Sequence, residues 1–214
     1  MGKLWLFDFD GTLVDSEKAI KACYLKVGQE LVPERCDFIN TMVIGPTLHE
    51  SSSMILTKKN LHLLDKFKNR FEQLYDDKLI LETRQYPGVN ETLRKLHAKG
   101  DHLYIFTNKR SYPTHKLLKY FNWNNLFKLV VCMDEYPDVK TKTELVKIKK
   151  IQKKQYDDIF FVGDTKSDGM CANHNQIKFI KANYGYGKSE NWDDIIFFYE
   201  IEQIDELINN PVFS

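Results

Sequence analysis

Short apolar runs rich in β-branched and aromatic residues recur along this chain, and the stretches between them carry helical periodicity. Lys3 to Phe7, His102 to Phe106, Lys128 to Cys132, Asp158 to Val162 and Ile177 to Ile180 read as strands, with Ile195 to Tyr199 a weaker sixth. Between them Val89 to Ala98, Pro113 to Tyr120 and Thr143 to Lys154 repeat apolar residues at helical spacing, the last through Leu145, Ile148 and Ile151. Strands alternating with helices predict βαβ units and a parallel sheet, hence an α/β fold. Runs as continuous as Leu4-Trp5-Leu6-Phe7 and Ile159-Phe160-Phe161-Val162 suit strands covered on both faces.

Residues 15–85 break the rhythm. Leu61, Leu64, Phe67, Phe71, Leu74 and Tyr75 recur at helical spacing, and Ser16 to Leu31 and Thr47 to Leu56 also read as helical. The expected organisation is a core of residues 1–14 and 86–214 interrupted by a helical insert over 15–85, with Tyr86-Pro87-Gly88 as the returning turn. A length of 214 residues accommodates one sheet domain plus such an insert. Apolar residues at 43% and charged residues at 29% exclude a disordered or collagen-like chain. The 31 basic and 30 acidic residues leave a net charge of +1, which gives no reason to expect nucleic acid as a partner. The lysine-rich stretch from Lys140 to Lys154 has an apolar stripe and reads as a solvated amphipathic helix. No apolar run approaches a membrane span, and four scattered cysteines without a C-x-x-C pair fit a reduced, cytoplasmic chain.

The sharpest local signal is Asp8-Phe9-Asp10-Gly11-Thr12-Leu13-Val14-Asp15. Alternation along a strand sends Asp8 and Asp10 to one side, and Gly11 lets the backbone turn close to a ligand. Two such acids at a strand end can hold a divalent cation or divide nucleophilic and acid–base work. Alone, the segment favours the plainer reading of a solvated Asp-Gly turn. Three further polar elements shift that balance. One apolar strand runs into Thr107-Asn108-Lys109, another into Gly163-Asp164-Thr165-Lys166-Ser167-Asp168, and Lys142 opens a helix. An open α/β sheet gathers its strand ends along one edge, which is where ligands bind. The six histidines show no metal-ligand spacing.

In this order the four elements resemble the motifs of the haloacid dehalogenase superfamily. Ile44-Gly45-Pro46-Thr47-Leu48, Tyr86-Pro87-Gly88-Val89 and Tyr184-Gly185-Tyr186-Gly187 are similar to its phosphoglycolate-phosphatase-like branch. The resemblance implies a Rossmann-like three-layer core with a helical cap inserted after the first strand. It implies a Mg²⁺-dependent phosphatase acting on a small phosphorylated metabolite, such as phosphoglycolate, a sugar phosphate or a nucleotide. Asp8 would be the nucleophile, forming an aspartyl-phosphate, and Asp10 the acid and then the base. Mg²⁺ would be held by Asp8, the Asp10 carbonyl, Asp164 and Asp168. Thr107, the Asn108 backbone N–H and Lys142 would contact the phosphoryl oxygens, with Lys140 the alternative to Lys142 because the usual Lys-Pro pair is absent. Gly11, Lys109, and Gly45, Pro46 and Thr47 of the cap would adjoin the substrate. Arg70 on the cap helix is a candidate anion contact, weighed against a solvated helix arginine. A phosphosugar mutase is the alternative, disfavoured because Pro46, Thr47 and Leu48 stand where that branch carries an arginine; a phosphoacceptor without turnover is a further rival. No nucleic-acid or membrane partner is expected, and the chain is expected to be a monomer or weak homodimer.

Overall fold

The computed structural model describes residues 2–149 and 155–213. The chain divides into two compact units, Met1–Asp15 with Gln85–Ser214, and Ser16–Arg84. The two-residue strands β2 (Val14–Asp15) and β3 (Arg84–Gln85) lie where the chain passes from one unit to the other. Among the described residues, no helix is long and apolar enough to cross a membrane.

The first unit is built on a six-stranded parallel sheet. Its strands are β1 (Leu4–Phe7), β4 (His102–Thr107), β5 (Phe127–Cys132), β6 (Ile159–Gly163), β7 (Lys178–Ala182) and β8 (Tyr199–Ile201), ordered β5-β4-β1-β6-β7-β8. All four residues of β1 are fully buried, as a central strand covered on both faces requires. Phe7 stands opposite both Ile105 and Val162, so β1, β4 and β6 release their following residues at one edge. Helices α5 (Val89–Ala98), α6 (Ser111–Tyr120), α7 (Lys142–Ile148) and α8 (Lys166–His174) alternate with the strands and pack on them. Leu4, Leu6, Phe106, Val131, Leu145, Phe161 and Phe179 share one core cluster. Each such side chain contributes roughly 1.5–3 kcal/mol by leaving water. The expected continuation of α7 through Ile151 to Lys154 lies outside the described residues.

The sixth strand differs from its expected place. Instead of Ile195 to Tyr199, the strand is Tyr199–Ile201. Asn173 explains the shift: its amide donates to the Ile196 carbonyl at 2.9 Å and its side-chain oxygen accepts from the Ile196 N–H at 2.8 Å. The backbone groups a ladder would use are thus satisfied by a side chain. Ile195 still buries itself, while Ile196 is 77% exposed.

The second unit is helical: α1 (Glu17–Leu31), α2 (Cys36–Thr41), α3 (Leu48–Ile55) and α4 (Leu64–Leu74). Tyr24 of α1 and Phe71 of α4 place their rings 4.4 Å apart, and Phe71 stacks on Tyr75 at 5.6 Å. The helical spacing that began at Leu61 starts as a 3₁₀ segment over Lys58–Leu63, where Leu61 stays exposed, and the regular helix begins at Leu64. Thr47 caps α3, accepting from the Glu50 N–H at 3.2 Å while Glu50 accepts from the Thr47 N–H at 2.8 Å. Arg70 is turned to Glu30, making two hydrogen bonds at 2.7 and 2.8 Å.

Candidate active site

The sheet edge gathers the acids that the sequence places after separate strands. Asp8 follows β1 directly, and its N–H donates to the Val162 carbonyl at 2.9 Å, which ties it to the end of β6. Asp164 lies one residue beyond β6, and Asp168 lies in the first turn of α8. One oxygen from each of Asp8, Asp164 and Asp168 falls within 4.8 Å of the others, and all three residues are buried. Lys142, at the first position of α7, enters this group from another element. Its ammonium donates to Asp8 Oδ1 at 2.7 Å and to Asp168 Oδ1 at 2.5 Å. Lys140 instead donates to the Pro137 carbonyl, and it is exposed.

Each acid is held by more than charge. Asp168 Oδ2 accepts from the Thr165 N–H at 3.0 Å and from the Thr165 hydroxyl at 2.7 Å, which closes the start of α8. Asp164 Oδ1 accepts from Thr12 Oγ1 at 2.9 Å, and its Oδ2 from the Tyr186 N–H at 2.7 Å. Two glycines make room for this carboxylate. A Cβ on Gly11 (φ +86°) would stand 2.2 Å from Asp164 Oδ2, and a Cβ on Gly185 2.2 Å from Asp164 Cβ. The Tyr184 hydroxyl donates to the Thr12 carbonyl at 2.9 Å, bracing the residue that braces Asp164. The positioning work of Thr12, Tyr184 and Tyr186 was not foreseen from the sequence. Their signal was present, in the Thr of the Asp-Gly-Thr run and in Tyr184-Gly185-Tyr186-Gly187.

The electrostatics follow from three grouped carboxylates, two of which share one buried lysine. Burial pushes the Asp8 carboxyl up to about 7; Lys142 counters this in part, while Asp168 and Asp10 add to it. Burial, then repulsion from Asp8 and Asp168, holds Asp164 well above the usual carboxylate range. For Lys142 burial alone would lower the ammonium, but Asp168 and Asp8 outweigh it and raise it above the ordinary lysine value. Three grouped carboxylates against one buried ammonium leave an excess of negative charge, and their oxygens suit a hard divalent cation. Burial pushes the Cys171 thiol, beside this group, up to about 12, so it stays protonated and serves packing.

The remaining expected residues divide. Thr107, buried at the end of β4, accepts from the Lys109 N–H at 3.1 Å. Asn108 follows it in the same turn. The Asp10 carboxylate is not one of the three grouped acids and is paired with Lys109, whose Nζ is 3.0 and 3.1 Å from its two oxygens. The Lys109 ammonium, expected to adjoin the substrate, is hydrogen-bonded to Asp10. Gly45, Pro46 and Thr47 belong to the second unit, where Gly45 adopts φ +147° and Thr47 caps α3.

Comparison with known proteins supplies independent support. The family model for haloacid dehalogenase-like hydrolases matches residues 5–182. A phosphoglycolate phosphatase of Aquifex aeolicus is 30% identical over 185 residues, covering 86% of this chain and 85% of that protein. Pyrophosphatase PpaX of Halalkalibacterium halodurans is 28% identical over 183 residues, covering 84% and 82%. A solved haloacid dehalogenase-like hydrolase from Streptococcus pneumoniae shares the fold, with TM-score 0.79, 22% identity and 97% of each chain covered. A family match spanning most of the chain and a relative at this identity across 86% of it lead to one conclusion: the chain belongs to the haloacid dehalogenase-like hydrolase family.

Proposed function

We propose that this hydrolase is a Mg²⁺-dependent phosphatase that removes a phosphoryl group from a small metabolite through a covalent intermediate on Asp8. The observation that carries the reading is the state of Asp8: buried, gripped by Lys142 at one oxygen, and grouped with Asp164 and Asp168. A carboxylate stripped of water and fixed in rotation is poised to attack an electrophile. Its oxygen forms a bond to phosphorus as the P–O ester bond breaks, and Asp10 gives its proton to the leaving alkoxide. Asp10 then takes a proton from water as that water attacks phosphorus, releasing inorganic phosphate and restoring Asp8.

Thr107, the Asn108 backbone N–H and Lys142 orient and neutralise the phosphoryl oxygens, the main requirement of phosphoryl transfer. Gly11 lets the backbone approach the substrate. Mg²⁺ would be held by the Asp8 carboxylate, the Asp10 carbonyl, Asp164 and Asp168; when bound it neutralises carboxylate and phosphoryl charge together. Two relatives are named for phosphoglycolate and for pyrophosphate, both small and highly anionic. These two, with sugar phosphates and nucleotides, form the substrate panel. The chain acts in the cytoplasm as a monomer or weak homodimer. The test is phosphate release across that panel with Mg²⁺, for the native protein and for Asp8→Asn. Release by the native protein alone supports the reading; no release, or release by both, overturns it.

A further inference from the structure

Lys109 is a nearly buried ammonium whose side chain is 5% exposed, against 14% for that of its partner Asp10. An ammonium that deep requires a counter-charge, and the Asp10 carboxylate supplies it through both oxygens, at 3.0 and 3.1 Å. The backbones at the two ends are already fixed. The Lys109 N–H donates to Thr107 Oγ1 at 3.1 Å. Around Asp10, Gly11 N–H donates to the Val14 carbonyl at 2.8 Å, and the Leu13 and Val14 N–H groups donate to the Phe9 carbonyl at 2.9 and 3.0 Å. A grip on both oxygens fixes the rotation of the Asp10 side chain.

We propose that Lys109 is a positioning residue for Asp10 and not a substrate contact, a role that rests on the phosphatase reading above. Asp10 must present one oxygen to the leaving group and then to the attacking water, and displacements below an ångström at such a group cost rate. Lys109 joins the end of β4 to the loop after β1 and sets where that oxygen stands.

The test compares Lys109→Met, Lys109→Gln and Lys109→Arg with the native protein, using para-nitrophenyl phosphate and Mg²⁺. Unfolding midpoints are recorded, so that a variant that does not fold is replaced in the comparison by the next. Loss of a supporting partner lowers kcat by ~10–100-fold. KM and the inhibition constant for inorganic phosphate stay within about threefold, because binding does not run through Lys109, and Lys109→Arg recovers part of kcat. The deciding arm is Asp10→Asn, alone and combined with Lys109→Met. A lysine that acts through Asp10 adds no more than about twofold to the Asp10→Asn loss. Weakened phosphate inhibition, or losses that multiply in the double variant, overturns the proposal and returns Lys109 to the substrate. Absence of release by the native protein is a separate result, which removes the phosphatase reading.

Discussion

Replacing Gly11 with Ala isolates the close approach on which the Asp164 position depends. Gly100 provides the internal reference. Both glycines have φ +86°, but a Cβ on Gly100 meets nothing within 4 Å, whereas one on Gly11 meets Asp164 Oδ2 at 2.2 Å, Cγ at 2.6 Å and Oδ1 at 2.7 Å. Gly100→Ala therefore reports only the left-handed backbone penalty, about 1–2 kcal/mol. Gly11→Ala carries that penalty and also displaces Asp164, whose carboxylate is close-packed against Gly185 as well. Displacement strains the hydrogen bonds from Thr12 Oγ1 and the Tyr186 N–H. A buried acceptor left without its hydrogen bond costs about 1–3 kcal/mol. Losing one of these bonds outright already separates the two variants by about 2 kcal/mol. Urea unfolding of the cation-free proteins measures that gap, and calorimetric Mg²⁺ titration should show ~10–100-fold weaker binding for Gly11→Ala alone. Equal destabilisation by the two variants, or unchanged Mg²⁺ affinity in Gly11→Ala, refutes the reasoning.

The site makes further predictions. Burial holds Asp8 up to about 7 and Asp164 well above its ordinary range, so protons compete with the cation. Mg²⁺ affinity should fall as pH drops through about 7, and binding at about pH 6 should release protons; calorimetry in buffers of differing ionisation heat that finds no release contradicts this. The same raised value means that folded Asp8 keeps its proton where the unfolded carboxyl has lost it. The Asp8 contribution to cation-free stability therefore declines as pH rises from the ordinary carboxylate value to about 7 and is level above, and Asp8→Asn should remove that slope in urea unfolding. Lys142→Met should lower kcat by ~10²–10³-fold, while Lys140→Met, whose side chain reaches only the Pro137 carbonyl among the bonds seen, should stay within about twofold in the same assay.

The parts legible in the sequence are those with a period or a local rule. Continuous apolar runs marked β1 and β6, and α5 begins and ends where its apolar repeat does. The start of α7 was also written locally: Thr141 accepts from the Glu144 N–H at 3.2 Å, a cap that begins the helix at Lys142. What could not be read depends on partners distant in the chain. Thr12 meets Asp164 across 152 positions and Tyr184 meets Thr12 across 172, and no periodicity encodes such pairs. Lys109 likewise meets Asp10 across 99 positions, a pairing that no local rule encodes. The sixth strand slipped for a similar reason, since Ile195 alone of that apolar run is buried while Asn173 takes the backbone bonds of Ile196.

The central claim is that Asp8 becomes phosphorylated and is then freed. Mixing the protein with substrate and Mg²⁺, quenching in acid within one turnover and mapping peptides by mass tests it directly. The account predicts one added phosphoryl group on the peptide carrying Asp8, disappearing as inorganic phosphate accumulates, and none in Asp8→Asn. Rapid phosphate release with no phosphorylated Asp8 at any time, even for a variant slowed by Asp10→Asn, contradicts it.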